Sequence, residues 1–327
     1  MGIFLNSAAP YSLYESEVKK PYFVDKSLML EELFLPAETG NSHICITRPR
    51  RFGKTVMANM VSAFFSRGVD STEIFSKLKI AESTGYQKHL NTHDVIRIDF
   101  SRMPRNCNSY DQYIERIERI LIQDLMEAYP KADIQEEDAV WDSLDLVYER
   151  YGGQRFIFVF DEWDCIFHKD FITDEDKKKY ISFLSSLLKD KAYVLLSYMT
   201  GILPIAKYSS GSELNMFAEY TMVSEEKFSD AFGFTEVEVD MLYARFLKNT
   251  GKPLLSRSGL KEWYDGYHAK GGERIYNPRS VVMALTNNNL GNYWTSSGPY
   301  DEIYYYIEKN VAGVRNDLAL MVSGESV

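Results

Sequence analysis

At 327 residues, with 47 acidic against 37 basic side chains and a formal net charge of −10, this is an acidic chain of ordinary apolar content (45%). That balance excludes a protein that coats nucleic acid over its whole surface, although it leaves room for a local basic groove. No run of about 18 apolar residues occurs, so no membrane span is predicted, and at roughly 150 residues per domain the length predicts about two domains.

The N-terminal stretch lacks a basic start followed by an apolar run, so no signal peptide is predicted. Asn6 stands where a myristoylation pattern wants Ser or Thr. Cys45, Cys107 and Cys165 are scattered and without C-x-x-C spacing. They fit a reducing cytoplasm, with neither a disulfide framework nor a zinc site.

In chain order, Leu28, Met29, Leu30, Leu33 and Phe34 predict a leader helix over 22–35, capped by Asp25 or Ser27 and packed on a sheet edge. A turn at 38–41 leads into a short buried strand, His43 to Thr47. A basic turn follows, Arg48-Pro49-Arg50-Arg51-Phe52, then Gly53-Lys54-Thr55. Val56, Met57, Met60, Val61, Phe64 and Phe65 then recur at helical spacing. Strand, loop and helix in that order form the context of a phosphate-binding loop. A helix N-terminus offers free N–H groups and a positive dipole end, the loop amides wrap the anion, and a Lys adds charge. A Thr after the Lys supplies a hydroxyl for Mg²⁺. The usual pattern G-x-x-x-x-G-K-[ST] wants Gly at position 48, where Arg48 stands. The bland alternative is a chance G-K-T at a helix start. For Arg48, Arg50 and Arg51, three readings stay open: phosphate clamp, partner contact, or simply the turn.

Val95 to Phe100 alternates apolar and charged, predicting a second strand. Helices are predicted from Tyr110 to Ala128, stopped by Pro130, and over 136–150. Phe156 to Phe160 is a continuous apolar run ending in Asp161 and Glu162. Such runs belong to strands buried on both faces of a parallel sheet, and ligands gather at the carboxyl ends of those strands. Asp161 is therefore assigned to Mg²⁺ and Glu162 to orienting and deprotonating an attacking water; two solvated acids at a strand end are the alternative. A helix over 175–189 and a strand from Ala192 to Met199 follow. Thr200, at that strand's end, is a candidate phosphate sensor or a capping Thr. With a fifth strand over Tyr220 to Ser224, the elements predict an α/β doubly wound sheet of about five strands between helices.

From about 230 the pattern turns helical, with a capping box at Thr235 and Glu238, an aromatic turn from Trp263 to Tyr267, a cap at Asn277-Pro278, and a Tyr-rich segment after Asn292. The predicted division is a core at 1–229 and a helical lid at 230–327. His89 and His93 lack a third ligand and are read as surface residues. Glu225-Glu226-Lys227 is read as a helix start rather than a nuclease remnant.

Several phrases carry a family resemblance: Tyr22-Phe23-Val24-Asp25-Lys26-Ser27, Arg48 through Thr55, Thr200-Gly201-Ile202, Phe232-Gly233-Phe234-Thr235, and Trp263 to Tyr267 followed by Tyr276-Asn277-Pro278. They resemble bacterial AAA-ATPase-like proteins, relatives of archaeal-type and STAND P-loop ATPases. The resemblance implies that Arg48 in place of Gly is a family trait. It implies ATP as ligand with Mg²⁺, with Arg48 to Val56 as the nucleotide-binding stretch. Members often continue into a domain similar to PD-(D/E)XK nucleases; none is predicted within these 327 residues, which fits either a fragment or a stand-alone ATPase. The expected function is thus Mg²⁺-dependent ATP binding and hydrolysis in the cytoplasm. The alternatives are a non-hydrolysing module for a protein partner and the ATPase half of a nuclease-associated system. Assembly into a homo-oligomer would draw an arginine finger from Arg245, Arg257, Arg274 or Arg279.

Overall fold

The computed structural model of the chain describes residues 1–208, 211–222, 227–268 and 273–293. Five parallel strands form its centre: β1 (Ser42–Thr47), β2 (Asp94–Asp99), β3 (Phe156–Asp161), β4 (Val194–Gly201) and β5 (Ala218–Tyr220). Their spatial order is β2-β3-β4-β1-β5. β4 is therefore inserted between β1 and β3, with Thr47 opposite Gly201, Ile46 opposite Thr200 and Phe160 opposite Met199. The insertion brings the C-terminal ends of three strands side by side, although they are far apart in sequence.

β3 shows why the sheet is covered on both faces. Its side chains alternate sides: Phe156, Phe158 and Phe160 join one apolar layer, Ile157 and Val159 the other. The first layer is roofed by α6 (Tyr110–Ala128), α7 (Val140–Arg150) and α8 (Asp174–Leu188). The second is roofed by α1 (Ala9–Val18), α2 (Glu31–Thr39), α3 (Lys54–Phe65) and the single-turn helices α4 (Thr72–Phe75) and α5 (Tyr86–His89). Caps set the helix starts. Ser109 accepts the Gln112 N–H at 3.3 Å, and Thr173 forms a capping box with Asp176.

Several elements differ from the sequence-based expectation. The leader is not one helix over 22–35: a 3₁₀ turn (Ser27–Leu30) precedes α2. Asp25 is the reason, since its carboxylate accepts the N–H of Ser27 at 2.8 Å and of Lys79 at 2.7 Å, holding 25–27 as a loop. α1 was not anticipated, because only Pro10 and Tyr14 are buried along it and no apolar stripe forms. The fifth strand lies at Ala218–Tyr220, ahead of the expected span, of which residues 223 and 224 are outside the described residues. His89 is buried rather than superficial, stacked on Phe34 and in contact with His93 and Glu38.

Past β5, α9 (Glu236–Asn249) opens with the expected capping box, and α10 (Arg257–Tyr264) runs straight into β6 (Asp265–His268). The expected aromatic turn is thus a helix end joined to a strand. β6 pairs antiparallel with β7 (Arg274–Tyr276), and Asn277 caps α11 (Pro278–Asn287). The region expected to be a helical lid therefore contains a two-stranded hairpin as well. The Tyr-rich segment from 294 and the 225–226 acids lie outside the described residues. The chain divides into two compact units, Met1–Leu290 and Gly291–Val327; the candidate site lies in the first.

Candidate functional site

The loop between β1 and α3 starts with Arg48, whose N–H continues the ladder by donating to Gly201 O at 3.1 Å. Position 48 does not have a positive φ; the left-handed residues are Arg51 (φ 70°) and Gly53 (φ 87°). Nothing in the local backbone therefore demands glycine at 48, and Gly53 supplies the conformational freedom that the turn into α3 requires.

The Arg48 side chain does not face the loop mouth as a phosphate clamp would. It is 2% exposed, and its guanidinium donates to Thr47 O and Tyr220 O at 2.8 Å each and to Phe228 O at 3.2 Å. It also lies 5.1 Å from the centre of the Phe232 ring. Burial pushes its pKa down to about 10, so it stays charged at neutral pH. Phe52 is likewise committed elsewhere. It is buried against Ile275 of β7 and meets the Tyr267 ring of β6 edge-on at 4.7 Å. Gly233 (φ 87°) makes room there, since a Cβ would lie 2.1 Å from Ile275. Of the expected nucleotide-binding stretch, Arg48 and Phe52 thus use their side chains as anchors. Half-buried Val56 packs against the apolar layer under α3. Pro49 contributes a carbonyl, exposed Arg50 places a positive charge near both Lys54 and Glu162, and burial lowers the pKa of Arg51, helped by the like charges of Arg279 and Arg50.

Lys54 opens α3 and is 4% exposed. Its ammonium donates to Arg48 O at 3.1 Å and Pro49 O at 3.2 Å, leaving one of its three protons unassigned. Burial lowers its pKa, opposed by the nearby charges of Glu162, Asp164 and Asp161. Thr55, the next residue, is exposed, and its hydroxyl makes no hydrogen bond among the described residues.

Across from the loop, the strand ends are wired to one another. Asp161 is 1% exposed; Thr200 donates to its Oδ1 at 2.7 Å, and Arg97 donates to its Oδ2 at 3.1 Å. Glu162 follows in a left-handed conformation (φ 53°). Burial raises its pKa, opposed chiefly by Lys54. The structure therefore brings Lys54, Asp161, Glu162 and Thr200 into one electrostatically coupled group.

Sequence reasoning missed two members of this group. Arg97 sits on β2 on the same side as Val95, and the sign was present: a charge at an alternate position of an otherwise buried strand. Asp164 is 1% exposed; its Oδ2 accepts the N–H groups of Ile202 and Leu203 at 2.9 Å each, tying the turn after β4 to the end of β3. Its Oδ1 has no partner among the described residues.

The donor set fits a hydrated Mg²⁺. That ion keeps several waters and takes only one or two protein ligands beside phosphate oxygens. A carboxylate offers about four lone-pair directions, and Asp161 uses one per oxygen for the bonds above. The Thr55 hydroxyl is uncommitted. No cluster of three or more His, Cys, Asp or Glu suited to a metal exists among the described residues, so an all-protein cage is not available.

A model of the AAA-ATPase-like family, described as "Predicted AAA-ATPase", matches residues 14–210, a span that contains the loop, both strand-end acids and Thr200. The chain belongs to that family. An uncharacterized protein in the vnfD 5′ region of Azotobacter chroococcum mcd 1 is 26% identical over 282 residues. The match covers 85% of this chain and 51% of that relative, so the chain spans about half the relative's length. Among solved structures, the chain is similar to a Walker-type ATPase of Pyrococcus abyssi (13% identity, 91% of this chain and 74% of that one, TM-score 0.43). It is also similar to the ORC2 protein of Aeropyrum pernix in ADPNP and ADP complexes (12% identity, 85% and 69%, TM-score 0.39). A third is the Drosophila ORC bound to DNA (10% identity, 86% and 63%, TM-score 0.39). No described helix of this family member is long and apolar enough to cross a membrane.

Proposed function

We infer that this AAA-ATPase-like chain binds ATP at the β1–α3 loop and hydrolyses it with Mg²⁺. The observation that carries the reading is the single coupled group formed by Lys54, Asp161, Glu162 and Thr200 at the neighbouring ends of β1, β3 and β4. The loop amides, the N-terminus of α3 and the Lys54 ammonium would hold the β- and γ-phosphates. Thr55 and Asp161 would hold Mg²⁺, which supplies charge neutralisation across the phosphate oxygens.

Glu162 is the base in this scheme. Its raised pKa makes its carboxylate a stronger proton acceptor at neutral pH than an ordinary glutamate. Thr200 has one hydroxyl proton, and it is given to Asp161. It can sense a γ-phosphate only by switching that proton away from the carboxylate, which would make Asp161 part of the signal.

A second reading rests on the Lys54 bonds to Arg48 O and Pro49 O. A lysine that closes its own turn serves a non-hydrolysing interaction module equally well. Calorimetric titration with a non-hydrolysable ATP analogue and Mg²⁺, together with turnover assays, separates the two. The ATPase reading expects Lys54→Ala to lose nucleotide binding. It expects Glu162→Gln to keep binding while turnover falls by about 10²–10⁴, the range for a general base. Wild-type turnover in Glu162→Gln removes the base assignment. No Mg²⁺-dependent binding at millimolar nucleotide favours the module.

A further inference from the structure

A cavity of about 80 Å³ lies where α1, α3, α6 and the C-terminal end of β2 meet. A water needs about 10–15 Å³ by this measure, so several fit. Three arginines line it, Arg97, Arg102 and Arg116, with Asn59, Asp99 and Ser7 as further polar residues.

Two of these groups are incompletely satisfied. The Arg97 side chain is 9% exposed; Nη2 is bonded to Asp161, but Nε has no partner among the described residues. Asn59, on α3, is 6% exposed, and its Oδ1 likewise has no partner among the described residues. Buried polar groups rarely stay unpaired. An amide takes the orientation its neighbours dictate, so Asn59 can equally present its NH₂ as a donor.

The charge count points the same way. Arg102 is neutralised by Asp99 at 3.0 Å, and that carboxylate also accepts from Ser101. Arg97 is neutralised by Asp161. Arg116 makes no hydrogen bond or ion pair among the described residues, and is the surplus positive charge at the cavity.

We propose that this cavity is a second ligand site, separate from the β1–α3 loop, for a small tetrahedral oxyanion of the phosphate class. Arg97 Nε, the Arg116 guanidinium and the Asn59 amide are its donors. The same Arg97 group grips Asp161, so an anion here sits one side chain behind the strand-end carboxylate. The proposal does not rest on the nucleotide reading.

The test uses Lys54→Ala protein, or wild type saturated with a non-hydrolysable ATP analogue, so that the loop itself cannot take phosphate. Titration with inorganic phosphate should show one binding site. Adding Arg116→Gln should raise Kd about tenfold or more, as for loss of a charged hydrogen bond, and Arg116→Lys should recover part of that loss. Among the described residues Arg116 has no bonded partner to leave stranded, so both variants should fold as the parent does. A parallel titration with phenyl phosphate separates sources: equal affinity indicates a phosphoryl group on a larger molecule, weaker binding the free ion. Absence of phosphate binding, or an affinity that ignores Arg116, overturns the proposal. Continued nucleotide binding by Lys54→Ala would break the ATPase reading and leave this one standing.

Discussion

The two sides of the candidate site are held in opposite ways. On the strand-end side, Asp161 is held by side chains: Thr200 and Arg97 each grip one of its oxygens. On the loop side, side chains hold distant backbone. Arg48 reaches carbonyls 172 and 180 residues away in sequence, and Phe52 enters the β6–β7 hairpin. One side is a polar cluster within the sheet. The other makes the loop's shape depend on the segment after β5. A change in that segment is therefore mechanically connected to the loop, whereas the acids are positioned by their own sheet.

The comparison is broken most severely at Arg48. Arg48→Gly restores the common P-loop sequence, yet it strips three carbonyls of their donor. We expect a loss of about 3–5 kcal/mol, since each buried acceptor left without its donor costs about 1–3 kcal/mol, read as a lower denaturant midpoint at unchanged m. If Arg48 were instead a phosphate clamp, stability would hold and nucleotide affinity alone would fall.

The strand-end side should respond less. Thr200→Val removes the donor to Asp161 Oδ1 while Arg97 keeps Oδ2, so one buried acceptor is left unpaired, worth about 1–3 kcal/mol. Mg²⁺-dependent nucleotide binding should weaken with it, because the carboxylate is no longer fixed at both oxygens. A Thr200→Val protein of unchanged stability would mean that the Asp161 contact carries no weight.

The same contrast explains what could be read from the chain alone. β3 was legible because residues buried on both faces leave an unbroken apolar run, and α6 because Tyr113, Ile114, Ile117 and Leu121 mark one face. Lys54, Asp161, Glu162 and Thr200 were legible because each sits at a strand or helix end. The role of Arg48 stays open in the sequence because its distant partners, Tyr220 O in β5 and Phe228 O beyond it, are set by tertiary pairing of β1 with β5, which no local pattern encodes. Phe52 read as part of the phosphate turn for the same reason. α1 carried too few buried positions to show a period.

The finest distinction concerns Glu162, whose strain and charge can be separated. Its folded pKa is raised above the ordinary 4.5, chiefly by burial. A raised pKa means that the acid's contribution to stability is fully present below its unfolded value and is lost as pH rises through the folded one. Glu162→Gln removes the ionisation but keeps a side chain in the same left-handed backbone (φ 53°), so the conformational strain is common to both proteins. The variant should therefore melt slightly above wild type at pH 7–8, with the difference shrinking as pH falls toward 4.5 and below. Scanning calorimetry across pH 4–8 measures it. A difference that does not change with pH would show that burial leaves the Glu162 charge uncompromised, and would withdraw the main reason for regarding it as a strengthened base.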